Sequence, residues 1–188
     1  DIQIGCGRSG RFFSFEEAGI KPDIITLSKS LSGYGMPFAM VIFKPELDVW
    51  EPGEHNGTFR GFNPAFVTAN KALDFWTNDE FAKSVQKKSA LSIKSLEETA
   101  KLAKKLGATV RGRGLMLGIK FEAEGVANEM AAECFANGLI IETAGVDDDV
   151  LKMLPSLTIT EDELNKGLDI VRSAVKKIAD KHDDKAAA

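Results

Sequence analysis

The chain has 188 residues, 44% hydrophobic and 28% charged, with a formal net charge of -4 and a pI near 5.3. That balance supports a packed core. Its mild acidity, with no basic stripe, argues against a nucleic-acid partner. No run approaches the roughly 20 apolar residues of a membrane span, so no membrane partner is expected. Cys6 and Cys134 form neither a CxxC pair nor a Cys/His cluster, so no metal is expected and a cytoplasmic location is. Asp1-Ile2-Gln3-Ile4 opens like the middle of a strand, and the sequence is read as a piece of a longer protein. Asp183–Ala188 reads as a frayed tail.

In chain order, Asp1–Ile4 is expected to be a strand end and Gly5 to Gly10 a loop. Ser14–Ala18 suits a short helix closed by Gly19. The β-branched run Asp23–Leu27 reads as a buried strand, Ser32-Gly33-Tyr34-Gly35 as loop and Phe38–Phe43 as a second apolar strand. Pro45 to Thr58 is irregular. Asn63 suits an N-cap and Pro64 the first helical position, with Phe66, Ala69, Leu73 and Trp76 on one face. A long helix is expected from about Asp79 to Lys105. Phe81, Val85, Ile93, Leu96, Ala100 and Ala103 form its stripe, its charges form the wet face, and Gly107 ends it.

Beyond it, Leu115–Phe121 reads as a strand. Val126/Ala127, Met130/Ala131 and Cys134/Phe135 recur every four residues, as one helix face does, and Gly138 stops that helix before a strand at Leu139–Ile141. Thr160-Glu161-Asp162-Glu163 spells a capping box. Leu164, Leu168, Val171, Val175 and Ile178 then follow at helical spacing. The domain boundary is placed near Thr77-Asn78. Trp50, Trp76 and the phenylalanines are assigned to the core.

Lys29 is the leading chemical candidate. It directly follows the Asp23–Leu27 strand, lies between Ser28 and Ser30, and precedes a glycine turn into a second strand. An amine nucleophile needs desolvation or nearby positive charge, because its ordinary pKa is about 10.4. A strand end beneath a glycine loop can supply that; the plain alternative is a surface lysine. Gly5-Cys6-Gly7-Arg8-Ser9-Gly10 spells G-x-G-x-x-G, but Arg11-Phe12-Phe13 follows where a dinucleotide fold needs a helix. His55 lacks a partner carboxylate and reads as a loop residue. Cys6 beside Arg8 is either a reactive or a packed thiol.

Four ordered segments resemble the class III pyridoxal-phosphate-dependent aminotransferases, the ornithine and 4-aminobutyrate type. Pro22-Asp23-Ile24-Ile25-Thr26-Leu27-Ser28-Lys29-Ser30-Leu31-Ser32-Gly33 is similar to that family's cofactor-lysine segment. Gln3–Gly10, His55–Pro64 and Arg111–Gly118 are similar to three others. The resemblance implies an α/β, fold-type-I architecture. Residues 1–77 would end the large cofactor-binding domain with its mainly parallel sheet, and 78–188 would form the small α+β domain. It implies pyridoxal 5'-phosphate held covalently by Lys29, which also carries the reaction's proton. Gln3 would contact the cofactor near its phenolic oxygen. Thr58 would reach the phosphate of the cofactor in a second copy, so a homodimer or larger is expected.

The family aspartate that pairs with the pyridine nitrogen falls one place ahead of Asp1, which stands where the family has glutamate. Lys152, in Lys152-Met153-Leu154-Pro155-Ser156-Leu157, occupies the place of an arginine that grips the substrate carboxylate. Lysine lacks that residue's planar fork. It is read either as a weaker carboxylate partner or as a solvated cation.

The wording of Gly5–Arg8, Phe12–Asp23 and Phe43–Trp50 is similar to the subgroup that serves ectoine synthesis. For that subgroup the substrates would be glutamate and aspartate 4-semialdehyde, giving 2-oxoglutarate and 2,4-diaminobutyrate. Ornithine- and 4-aminobutyrate-type enzymes are the alternatives, as is a truncated chain inactive on its own.

Overall fold

The computed structural model describes residues 1–33 and 35–187. The loop expected at Ser32–Gly35 therefore lies partly, at Tyr34, outside the described residues. The chain divides into two compact units, Asp1–Ser84 and Val85–Ala188. That division falls within the helix Glu80–Ala100.

In the first unit, Ile24–Leu27 (β1) and Met40–Phe43 (β2) pair antiparallel, Ile24 opposite Phe43 and Leu27 opposite Met40. The mainly parallel sheet implied by the resemblance is not present among the described residues; this pair is the whole of the unit's sheet there. The run Asp23–Leu27 is not buried throughout. Leu27 is buried, while Ile24, Val41 and Ile42 are exposed. Among the described residues, one small cluster covers this two-stranded ladder and leaves its other positions open. Asp1–Ile4 forms turns instead of a strand, because no described segment supplies a ladder to pair with it.

Helix α1 (Asn63–Ala72) starts one residue earlier than a cap at Asn63 implies, with Phe62 as N-cap and Pro64 in its first turn. Its buried positions are Ala65 and Ala69, whereas Phe66 and Leu73 are exposed. The aromatic residues are not all core. Phe59, Phe62, Phe75, Phe135 and Trp50 are exposed, and Phe121 alone among the phenylalanines is fully buried. Several of the others make ring contacts, Phe12 edge-on with Trp76 at 5.4 Å between ring centroids and Phe13 stacked on Phe15 at 5.1 Å.

The second unit has the larger core. Helix α2 (Glu80–Ala100) enters it and tightens into a 3-10 segment, Lys101–Leu106, capped by left-handed Gly107. Four antiparallel strands follow: β3 (Thr109–Arg113), β4 (Met116–Lys120), β5 (Glu142–Ala144) and β6 (Val150–Met153), in the order β3-β4-β6-β5. The strand expected at Leu139–Ile141 is shifted to Glu142–Ala144, where it can pair with β6. Gly112 is required in the β3–β4 hairpin: at φ +107 a side chain there would run into the Met116 carbonyl.

Helices α3 (Val126–Ala136) and α4 (Glu161–Ala187) pack with this sheet. All five stripe residues of α4 are buried, with Met130 and Cys134 of α3 in the same cluster. Burial pushes the Cys134 thiol up to about 11, as befits a packing residue rather than a reactive one. Lys177 reaches Glu133 at 2.8 Å and Lys181 reaches Glu129 at 2.7 Å, joining the two helices. No helix among the described residues is long and apolar enough to cross a membrane.

The charges of α2 are not all on a wet face. Lys88 is only 5% exposed, and Ser89, Ser92 and Thr99 are buried beside the apolar stripe.

The capping box of α4 forms on both sides. The Thr160 amide donates to Glu163 Oε2 at 3.1 Å, and the Glu163 amide donates to Thr160 Oγ1 at 3.2 Å. The Thr160 hydroxyl and amide hold the Glu163 carboxyl below its ordinary range. Thr160→Ala should cost about 1 kcal/mol in denaturant unfolding. A depressed carboxylate stabilises above its unfolded pKa and loses that contribution as pH falls through the folded one. The difference between wild type and Thr160→Ala should therefore be full at neutral pH and shrink on acidification below the usual carboxylate range.

Candidate active site

The segment around Lys29 is shaped by two leucines. Leu27 at the end of β1 and Leu31 are both buried, in one cluster with Cys6 and against Phe12, Phe13, Ile25 and Phe38. Between them the chain reverses. Ser28 is extended, and its hydroxyl donates to the Phe38 carbonyl at 3.0 Å, tying the strand end to the approach to β2. Lys29 takes φ +51, and a 3-10 turn, Lys29–Ser32, returns Leu31 to the cluster.

A left-handed backbone at a residue with a Cβ costs on the order of 1 kcal/mol or more, and such residues gather at functional sites. Among the described residues three non-glycines adopt it, and two of them, Cys6 and Lys29, adjoin this one cluster. The Lys29 side chain is exposed, and no ion pair or side-chain hydrogen bond to it is formed by the described residues. Its ammonium is thus unengaged.

The turn closes on Gly33, whose φ is +72 and where an added Cβ would sit 2.5 Å from the Ala72 Cβ of α1. Ser32 is fully buried, and its hydroxyl finds no partner among the described residues.

Gln3 is half-buried on the turn that leads into Cys6. That turn is braced by Asp1. Its carboxylate accepts the Ser14 amide at 2.9 Å and the Ser14 hydroxyl, and its carbonyl accepts the Gly5 amide at 3.2 Å. The Gln3 turn and the Lys29 turn therefore share one small core through Cys6, Leu27 and Leu31. Burial raises the Cys6 thiol, with the chain's amino terminus opposing, so the packed reading of Cys6 stands. The G-x-G-x-x-G string is a run of turns with no helix at Gly10. A dinucleotide has no helix terminus to rest on there.

Thr58 lies in a loop in which every residue from 51 to 61 is exposed. The loop is braced from within: Arg60 donates to the His55 carbonyl at 2.5 Å and Asn56 to the Gly53 carbonyl at 3.1 Å. His55 stacks on Trp50 at 5.3 Å, a packing role rather than that of a base.

Lys152 belongs to the second unit. It stands on β6 directly opposite Glu142 on β5, and its Nζ pairs with Glu142 Oε1 at 2.8 Å. Its side chain is 17% exposed. The solvated cation allowed by the sequence is thus a half-buried, neutralised one. The pair borders a cleft of about 350 Å³ walled by Met153, Pro155 and Ile159. The sequence offered no sign of Glu142, because the pairing follows from sheet register across a loop.

Comparison with known proteins places this geometry. A family model described as Aminotransferase class-III matches residues 1–175. The chain belongs to the class III aminotransferases. Among curated relatives, the diaminobutyrate–2-oxoglutarate transaminase of Bordetella parapertussis is 55% identical over 177 residues, covering 93% of this chain and 41% of that protein. The Vibrio parahaemolyticus protein of the same name is 52% identical over 183 residues, 97% of this chain and 44% of that one.

Among solved structures, an N-acetylornithine aminotransferase from Stenotrophomonas maltophilia superposes with a TM-score of 0.74 at 32% identity, over 93% of this chain and 45% of that one. An ornithine aminotransferase from Toxoplasma gondii gives 0.85 at 25% identity, over 96% and 43%. The chain thus spans less than half the length of these relatives. The fold is part of the fold-type-I α/β architecture, and pyridoxal 5'-phosphate is the family's cofactor. The residues present fit that group: an unengaged primary amine on a strained turn, and a half-buried amide side chain on the turn packed against the same core.

Gly33→Ala should disturb this turn directly. The clash with Ala72 and the left-handed φ together predict a loss of about 1–3 kcal/mol in urea unfolding, and Leu31 should lose its protection first.

Proposed function

We propose that the chain is the lysine-bearing part of an aminotransferase that moves an amino group between glutamate and aspartate 4-semialdehyde, forming 2-oxoglutarate and 2,4-diaminobutyrate. One observation carries the reading: an exposed, unengaged Lys29 held left-handed where β1 ends, in a chain 50–55% identical to several proteins named for that reaction. The ornithine-type alternatives rest on structures at 25–32% identity, a weaker support.

In this reading Lys29 holds the cofactor covalently through its ε-amino group. Once the substrate's own amine displaces it, the freed ε-amino group would take and return the proton at the carbon that carries the amino group. Bound pyridoxal phosphate supplies the electron sink that makes this proton labile. Gln3 donates or accepts a hydrogen bond near the cofactor's ring oxygen. Asp1 acts on the site only through the Gln3 turn, since Ser14 occupies its carboxylate. Thr58 presents its hydroxyl to the cofactor phosphate of a second copy, a role suited to a loop exposed along its length. Lys152 draws a substrate carboxylate in competition with Glu142.

Borohydride reduction of the cofactor-loaded, native-length protein, followed by peptide mapping, should place the reduced cofactor on Lys29. Its appearance on another lysine would overturn the assignment. Lys29→Ala should abolish both turnover and the visible absorbance of the bound cofactor. With 2-oxoglutarate as acceptor, 2,4-diaminobutyrate should be the preferred donor; faster reaction with ornithine or 4-aminobutyrate would favour those enzymes instead.

A separate kinetic pair addresses Lys152. Glu142→Gln should lower KM for 2-oxoglutarate by about fivefold or less, the scale of a partly exposed ion pair. Lys152→Met should raise it.

A further inference from the structure

Lys88 lies on α2, yet its ammonium is turned into the second unit. It donates to the Leu157 carbonyl at 2.7 Å and to the Ile159 carbonyl at 3.1 Å. Those carbonyls belong to the connection between β6 and α4, residues 154–160, which has neither helix nor strand. Without a ladder, a half-buried carbonyl there needs a side chain or water as partner.

The donor is costly to keep in place. Burial lowers the Lys88 pKa, and the Glu161 carboxylate, at the start of α4, only partly opposes that. Glu161 is itself engaged by Lys87 at 2.5 Å. A buried ammonium is retained where it is hydrogen-bonded, and an unbranched apolar side chain would fill the same space without that desolvation. The connection it holds is also the wall of the cleft beside Lys152, through Pro155 and Ile159.

We propose that Lys88 is a positioning residue: its buried ammonium clamps the Leu157 and Ile159 carbonyls, and so sets the cleft wall that follows Lys152 in the chain. Lys88 touches neither cofactor nor substrate. It acts through the backbone of residues 154–160. The kinetic consequence rests on the transaminase reading above; the structural one does not.

The test uses the native-length, cofactor-loaded protein with Lys88→Met, Lys88→Gln and Lys88→Arg. Hydrogen–deuterium exchange over residues 154–160 should accelerate about tenfold or more in Lys88→Met, the scale of two half-buried carbonyls losing their donor and freeing the segment. Peptides from β4 and the middle of α4 should stay unchanged. Lys88→Gln, which keeps N–H donors without the charge, should fall between, and Lys88→Arg should restore protection. KM for 2-oxoglutarate should rise about tenfold in Lys88→Met, with kcat little altered.

Exchange that rises evenly across the unit, or not at all, would overturn the clamp. Local acceleration with an unchanged KM would overturn the link to the cleft. Should Lys88→Met fail to fold, Lys88→Gln and the wild type still decide: amides of 154–160 as unprotected in the wild type as those of the exposed loop 145–148 would also sink the proposal. A wild type that does not turn over 2,4-diaminobutyrate defeats the functional reading alone, and the exchange arm remains decisive for Lys88.

Discussion

The packing of Leu27 and Leu31 into one cluster with Cys6 is the constraint on which the first unit's chemistry rests. Two side chains four positions apart, one ending a strand, can reach the same small core only if the chain reverses sharply between them. That reversal falls on Ser28 and Lys29. The lysine is forced outward, with a backbone conformation that residues bearing a Cβ avoid. The strain at Lys29 and the exposure of its amine are thus two results of one packing demand. The same cluster reaches the Gln3 turn through Cys6, so the two turns that the family resemblance singled out are mechanically joined.

Lys152 and Lys88 show how differently a fold can treat the same side chain. Lys29 is exposed and unengaged, Lys152 is half-buried and neutralised by a cross-strand carboxylate, and Lys88 is buried against backbone oxygens. Each environment fixes what the ammonium touches: water, a carboxylate, or backbone oxygens. None of the three is distinguished by residue type, and only position relative to strands and helix faces separates them.

Much of this was legible in the sequence where the physics is local. The α4 stripe and its capping box, the Gly19 and Gly107 helix ends and the two short apolar runs of β1 and β2 were all readable from spacing and turn chemistry. What was not legible depends on partners far along the chain. β3 carries two arginines and a glycine in five residues, and nothing in that string announces a strand until β4 lies beside it. Asp1–Ile4 has strand composition but no ladder. Lys88 sits among residues that look like a solvated helix face, and only the return of the chain at Leu157 buries it. At the site, motif order pointed to Lys29, Gln3 and Thr58, but the left-handed backbone at Cys6 and Lys29 leaves no mark on composition. Glu142 was invisible because its pairing with Lys152 is a matter of register.

The two units are also unequal in what holds them together. The first relies on Cys6, Leu27, Leu31 and two alanines, while the second buries side chains from β4, β6 and its three helices. Apolar burial scales with area, so heat acts on them unevenly: calorimetry of this chain would register a broad, weak early transition from the lysine-bearing half before the sharp one from the sheet-and-helix half. The Lys29 turn thus resides in the softer material.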